Sequence, residues 1–229
     1  MTFAVGMALV GVLLWGIFQG PLRASMGPPF YLVVDAILTL PLGFLAWHFG
    51  TFGIGHDLSW GSGSFLFSRP RTRAFFVWSD WGYGMAQLML LVLAAKSVLA
   101  LTVERGSGPI LLAGGQVSLF LVFCLHLLAG LLLTGLLFGL TYLCSVLVKQ
   151  RGSVLSIGVV LAYLIAKSVV KHYWPGIILP DLTLTEFSAS HSGAPAFADQ
   201  LMLSIALRTA LVVAFPLAAQ LLVQRRDVD

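Results

Sequence analysis

Apolar residues run through this chain in long blocks, broken by short polar intervals rather than alternating with them. The blocks predict membrane-spanning helices at about 3–18, 30–49, 75–100, 119–148, 154–174 and 201–223. Most approach the roughly 20 residues needed to cross a hydrocarbon core of about 30 Å. A membrane β-barrel would instead show segments of roughly ten residues alternating in polarity, and none is present. The stretch Ile110–Val148 is too long for one simple span, at almost 60 Å as a helix. Splitting it would need a turn near Ala129, where no polar turn residue stands, and Gly114-Gly115 is the better break. The reading is therefore an interfacial segment over 110–117 followed by a long, tilted span over 119–148. Pro41 falls inside the second span and predicts a kink there. The segment 175–199 is long for a loop and leaves room for short interfacial helices.

One polar, basic island interrupts this pattern at about 50–73. It places Arg69, Arg71 and Arg73 within five positions of a chain that holds 13 lysines and arginines in 229 residues. The sequence is 59% hydrophobic and 10% charged, against about 25% charged in a typical soluble domain. The predicted fold class is all-α: a single polytopic transmembrane domain over 1–229, with about six helices. The net charge of +4 is no nucleic-acid footprint, because the bases sit beside spans. With six spans the island, the loop after the fourth span and both termini share one side. That side carries Arg69, Arg71, Arg73, Lys149, Arg151, Arg225 and Arg226. The opposite side carries Arg23 and Arg105, with Lys171 at the border. The positive-inside rule then puts the island and both termini in the cytoplasm, and Trp47, Trp60, Trp78 and Trp81 read as an interfacial belt around it. Met1–Val5 lacks the basic start of a secretory signal, so the first run is read as a span.

The candidate chemistry is sparse. None of the four lysines follows a glycine, so there is no Gly-Lys-Ser/Thr phosphate loop, and any nucleotide-derived energy must come from another chain. An intramembrane hydrolase would need a serine and a base. Ser118, Ser145, Ser156 and Ser204 sit in or near spans and His126 sits inside the fourth, but neither Gly-x-Ser-Gly nor His-Glu-x-x-His occurs. His126 reads more simply as a bond to a neighbouring helix. His48, His56 and Asp57 would make only a three-residue metal site. Cys124 and Cys144 lie 20 residues apart in one run, about 30 Å on a continuous helix, too far to pair. Asp35, Lys167 and Arg208 come from three spans and fall at similar depth, roughly 7–12 Å below the outer surface. They form an intramembrane polar layer, read either as an ion-paired staple or as the lining of an outward vestibule. Lys96, near the end of its span, is expected to snorkel to the interface. Asp80, Tyr83, Gly84 and Gln87 make a polar or small stripe, read as helix-packing glue in preference to a substrate path. Gly16-x-x-x-Gly20 and Gly135-x-x-x-Gly139 are close-packing faces.

Two features of the island exceed a plain basic loop. Ser64-Phe65-Leu66-Phe67 is apolar outside the spans, which suggests a short amphipathic helix that meets a partner or the membrane surface. Ser68-Arg69-Pro70-Arg71-Thr72-Arg73 then places a proline close to a helix start, where it fits. The run Phe65–Arg73 resembles the "FLLS-x-P-x-S-R" segment of the permease subunits of bacterial ATP-binding-cassette exporters of the type-two family. Leu143–Ser153 is similar to the same family's fourth-span end, roughly "L-S-x-L-x-x-x-R-G". Leu58-Ser59-Trp60-Gly61 lacks the acidic residue that the family carries before its coupling glycine. The first span also starts almost at Met1, where the family has a basic amphipathic helix.

The resemblance implies a permease subunit in a bacterial cytoplasmic (inner) membrane, forming the substrate pathway as a homo- or heterodimer with a second permease. It implies two copies of a separate cytoplasmic ATPase, which would hold ATP and Mg, while this chain carries no cofactor and performs no catalysis. The coupling residues by analogy are His56, Asp57, Phe65, Leu66, Phe67, Ser68, Arg69, Pro70, Arg71 and Arg73, with Lys149 and Arg151 in the second cytoplasmic loop. The competing classes are an intramembrane enzyme and a non-transporting membrane assembly protein.

Overall fold

The computed structural model describes residues 29–53, 72–103, 111–112, 115–116, 119–148, 152–173 and 196–225. They form helices α1 (Pro29–Thr51), α2 (Arg73–Val103), α3 (Leu119–Val148), α4 (Gly152–Tyr173) and α5 (Ala196–Arg225). Between α2 and α3, strands β1 (Leu111–Leu112) and β2 (Gly115–Gln116) pair antiparallel, Leu111 opposite Gln116. The predicted span at 3–18, residues 54–71 of the island, the loop 149–151 and 175–195 of the outer segment lie outside the described residues.

Five of the six predicted spans thus have helices within a few residues of the expected bounds, and α3 begins and ends where the apolar block does. The interfacial segment over 110–117 takes the form of a short β-hairpin instead of a plain break. Helix α1 runs through Pro41 and α5 through Pro216, and each proline withdraws one helical hydrogen bond.

Among the described residues, three helices are long and apolar enough to cross a membrane: α3 over Leu127–Val148, α4 over Gly152–Val170 and α5 over Ile205–Arg225. Their length and composition point to a helical membrane protein. Their surroundings differ sharply. In α3 67% of the apolar window is buried within the chain, against 17% in α5 and 6% in α4. Helix α3 is the hub, touching α1, α2, α4 and α5. Helix α4 packs on α3 and, near its start, on α1; the rest presents Leu161, Leu164, Ile165 and Val169 outward. An apolar surface of that extent is unfavourable in water and at ease in lipid.

Helix α3 accommodates its few polar groups by turning them onto its own backbone. The Thr134 hydroxyl donates to Gly130 O (2.8 Å), Thr141 to Leu137 O (2.7 Å) and Ser145 to Tyr142 O (2.8 Å). Such bonds satisfy buried hydroxyls without a partner helix. Small residues bring the neighbours close. A methyl group at Gly50 would lie 2.7 Å from Phe138 O, and one at Gly84 would lie 2.5 Å from the Phe138 ring. Two clusters of buried side chains result. Ala46, Val77, Leu88, Phe138, Tyr142, Val146, Ala219 and Val223 fill the end of the bundle nearest Gly53 and Arg73. Leu42, Leu45, Leu91, Val92 and Ala95 fill the next layer between α1 and α2.

Candidate functional site

The described flanks of the island converge on one end of the bundle. At the upstream flank, Gly53 lies so close to Tyr142 that a methyl group there would stand 2.6 Å from the ring and 3.1 Å from Asp80 Oδ2. The Tyr142 hydroxyl in turn donates to Val77 O at 3.3 Å. The end of α1, the start of α2 and the last two turns of α3 therefore meet at one tyrosine.

At the downstream flank, α2 starts with a cap. Phe75 N–H donates to the Thr72 hydroxyl (3.3 Å) and to Thr72 O (3.0 Å). The Arg73 guanidinium reaches across to the end of α5, where Nη1 donates to Val223 O (3.3 Å) and approaches Gln224 O (3.4 Å). The last carbonyls of a helix lack helical partners and carry the negative end of its dipole, so a cation is favoured there. One turn further along α2, Trp78 Nε1 donates to Gln220 Oε1 at 2.6 Å. The two bonds tie the first turns of α2 to the last turns of α5.

Trp47 makes a similar bond, whereas Trp81 joins helices by ring packing alone, its Nε1 buried without a hydrogen-bond partner among the described residues. Trp47 Nε1 donates to Ser156 Oγ at 2.9 Å, linking α1 to α4. Trp81 packs edge-on against Trp78 and tilted against Phe138. The expected aromatic belt is, in its described members, a set of bridges between helices. Sequence hydropathy cannot distinguish the two, because both place tryptophan at the ends of spans.

The stripe on α2 separates. Asp80 turns toward Gly53, Gly84 packs on Phe138, and Tyr83 stands 68% exposed. Packing glue within the chain describes Asp80 and Gly84 and does not describe Tyr83.

Of the polar layer, Arg208 is buried at 3% exposure on α5, and Lys167 is half-buried on α4. Asp35 lies in α1, one turn before Thr39. The structure adds a member that sequence reasoning placed elsewhere. Lys96 is 1% exposed, with Nζ donating to Thr39 Oγ1 at 3.5 Å. The snorkelling expectation is corrected here: Gly130 of α3 leaves room for the lysine stem, and Thr39 of α1 receives its head. Depth along the span was legible, whereas the gap opposite it was not.

The serines considered as nucleophiles are engaged where described. Ser145 is buried and bonded to its own helix, and Ser156 donates to Ser153 O (2.8 Å) while accepting from Trp47. His126 lies in α3, and its side chain is outside the described residues. His48 stacks with Phe44 and Phe52. Among the described residues no three metal-binding side chains come together. His56, Asp57, Phe65, Leu66, Phe67, Ser68, Arg69, Pro70 and Arg71, and likewise Lys149 and Arg151, fall outside the described residues. Within the second resembling segment, Gly152 opens α4 directly against the Ser145 backbone, leaving no room for a side chain. No protein-family model matches the chain, and no curated protein matches it.

Proposed function

We propose that this chain is the permease subunit of an ATP-driven exporter of the binding-cassette type, paired with a second permease and powered by a separate cytoplasmic ATPase. In this reading six spans cross a bacterial inner membrane with both ends in the cytoplasm, and the region His56–Arg73 docks on the ATPase. The chain lacks a phosphate loop of its own, so hydrolysis belongs to the partner.

The observation that carries the reading is the bond from Arg73 to the end of α5, reinforced by Trp78 and Gln220. A docking segment is useful to a transporter only if its displacement reaches the spans. The segment that resembles the exporter coupling region ends at Arg73, and Arg73 grips the final turn of the last helix. A push on the segment would therefore move α2 and α5 together, and α3 through Val77 and Tyr142. Such rigid-body motion of packed helices is the ordinary currency of alternating access. A hydrolase reading has less support, since Ser145 and Ser156 spend their hydroxyls on backbone carbonyls.

The test is isolation of the tagged chain from its native membranes. A nucleotide-binding subunit should accompany it, and Arg69→Glu with Arg71→Glu should release that subunit while the permease stays folded. Isolation with no nucleotide-binding partner, together with indifference to both charge reversals, would overturn the proposal.

A further inference from the structure

Tyr83 and Gln87 stand at a depth where an unpaired polar group is hard to place. Gly84 packs on the Phe138 ring, and Phe138 is 11 residues from Leu127 and 10 from Val148, the limits of the apolar window of α3. Tyr83, next to Gly84 on α2, therefore lies near mid-window, and Gln87 lies one turn further on the same side. Tyr83 is 68% exposed and Gln87 is half-buried. Among the described residues neither side chain has a hydrogen-bond partner. Tyr83 is 10 residues from Arg73, about 15 Å along the helix, so its hydroxyl cannot reach that end of the span.

Other hydroxyls in the helices are satisfied locally. Those of Thr134, Thr141, Ser145 and Thr209 donate to carbonyls of their own helices, as does Ser79 one turn before Tyr83. A phenol projects too far from its helix for such a bond. Lipid offers neither donor nor acceptor at this depth, so an exposed hydroxyl and amide there are costly. Helix α4 shows the kind of face that lipid suits: around the middle of its window it exposes Ile157, Val159, Leu161, Leu164 and Ile165. The α2 face differs from it in polarity and is also uncharged, because Asp80 turns toward Gly53 and Lys96 is buried. Beyond Gln87 it continues with exposed Met89, Leu90 and Leu93.

From this contrast we infer that the Tyr83–Gln87 face of α2 lines a water-filled cleft at mid-membrane and binds an uncharged amphiphile there. The Tyr83 hydroxyl and the Gln87 amide exchange hydrogen bonds with its polar group, and Met89, Leu90 and Leu93 pack on its apolar part. A charged head is disfavoured, since the face supplies no counter-charge. Naming this ligand as the exported cargo rests on the exporter reading; the cleft and the binding do not.

The experiment uses the full chain in lipid vesicles, with a reporter cysteine at exposed Ala86 on the same face and a control at Leu164 on α4. Each is treated with a charged, water-soluble thiosulfonate and compared with the parent chain, which holds Cys124 and Cys144. Ala86→Cys should react roughly tenfold faster than Leu164→Cys, because the reactive thiolate forms in water and not in lipid. Octyl glucoside below its micellar concentration should slow the reaction by about twofold at half-occupancy, and octyl sulfate or octylammonium should not. Adding Y83F/Q87L should abolish the protection while leaving the cysteine reactive. Ala86→Cys as inert as Leu164→Cys would overturn the proposal, as would efficient disulfide formation between copies in place of reagent access. Equal protection by all three amphiphiles, no protection by octyl glucoside, or protection that survives Y83F/Q87L would do the same. The measurement needs no ATPase, so its failure is separate from failure of the co-isolation test.

Discussion

The Arg73 guanidinium donates to the main-chain carbonyl of Val223 at 3.3 Å across 150 positions of sequence. One residue thereby starts α2 and closes the exposed end of α5. Replacing it with alanine leaves the last carbonyls of α5 to water and removes a cation from the negative end of the helix dipole. Arg73→Ala should cost about 1–2 kcal/mol, and Arg73→Glu more, because it adds repulsion at the same point. Thermal unfolding of the purified chain checks both. Accelerated hydrogen exchange confined to the last turns of α5 would identify the cause.

Trp78 and Gln220 make the companion link. Trp78→Phe retains the ring and loses the N–H, leaving Gln220 Oε1 without that donor. The expected cost is about 1 kcal/mol. Adding Gln220→Leu to Trp78→Phe should cost less than the sum of the two single changes, because the second removes the stranded acceptor. Strict additivity would show the bond to be incidental.

Two glycines on α2 give opposite predictions from the same substitution. A methyl group at Gly82 meets nothing within 4 Å, whereas one at Gly84 would lie 2.5 Å from the Phe138 ring. Gly82→Ala should stabilise α2 by up to about 1 kcal/mol through helix propensity. Gly84→Ala should destabilise by about 1–3 kcal/mol, as the Phe138 ring is forced aside. The sign difference is the measurement, read from paired unfolding midpoints under identical conditions.

The α3–α4 elbow predicts a larger effect. Gly152 starts α4 against the Ser145 backbone, and backbone cannot move aside as a side chain can. Gly152→Ala should therefore lower the yield of folded protein well beyond Gly82→Ala, measured by size-exclusion profile. A Ser145→Ala change, which removes only a hydroxyl bonded within its own helix, should be tolerated.

Most of the helical architecture was legible in the sequence, because in a membrane the length of an apolar block and its helix are nearly the same quantity. Leu119–Val148 shows this best: no polar residue ends it early, and the helix runs the full block. What hydropathy could not supply is which face meets which. The place of Lys96 near the end of its span predicts snorkelling to the interface, yet the missing side chain of Gly130 leaves room for it inside the bundle. Trp47 and Trp78 read as members of an interfacial belt, yet Ser156 and Gln220, each more than 100 positions away, supply their acceptors. The small hairpin at Leu111–Gln116 carries two residues in each strand, too few for any alternation to register. The coupling residues of the island were named from resemblance alone. Arg73 is the one among them that the described structure places, and its bond to α5 was invisible to motif spacing.

The central claim is that force enters this chain through the island and reaches α5 through Arg73. The most direct measurement is nucleotide-dependent distance change in the complex isolated from native membranes, with spin labels at exposed Tyr83 on α2 and exposed Leu221 on α5. The labels should shift together relative to α4 when a non-hydrolysable ATP analogue is added, and Arg73→Ala should uncouple the α5 label from the α2 label. Labels that stay fixed on nucleotide addition, or α5 motion that persists unchanged in Arg73→Ala, would contradict the account.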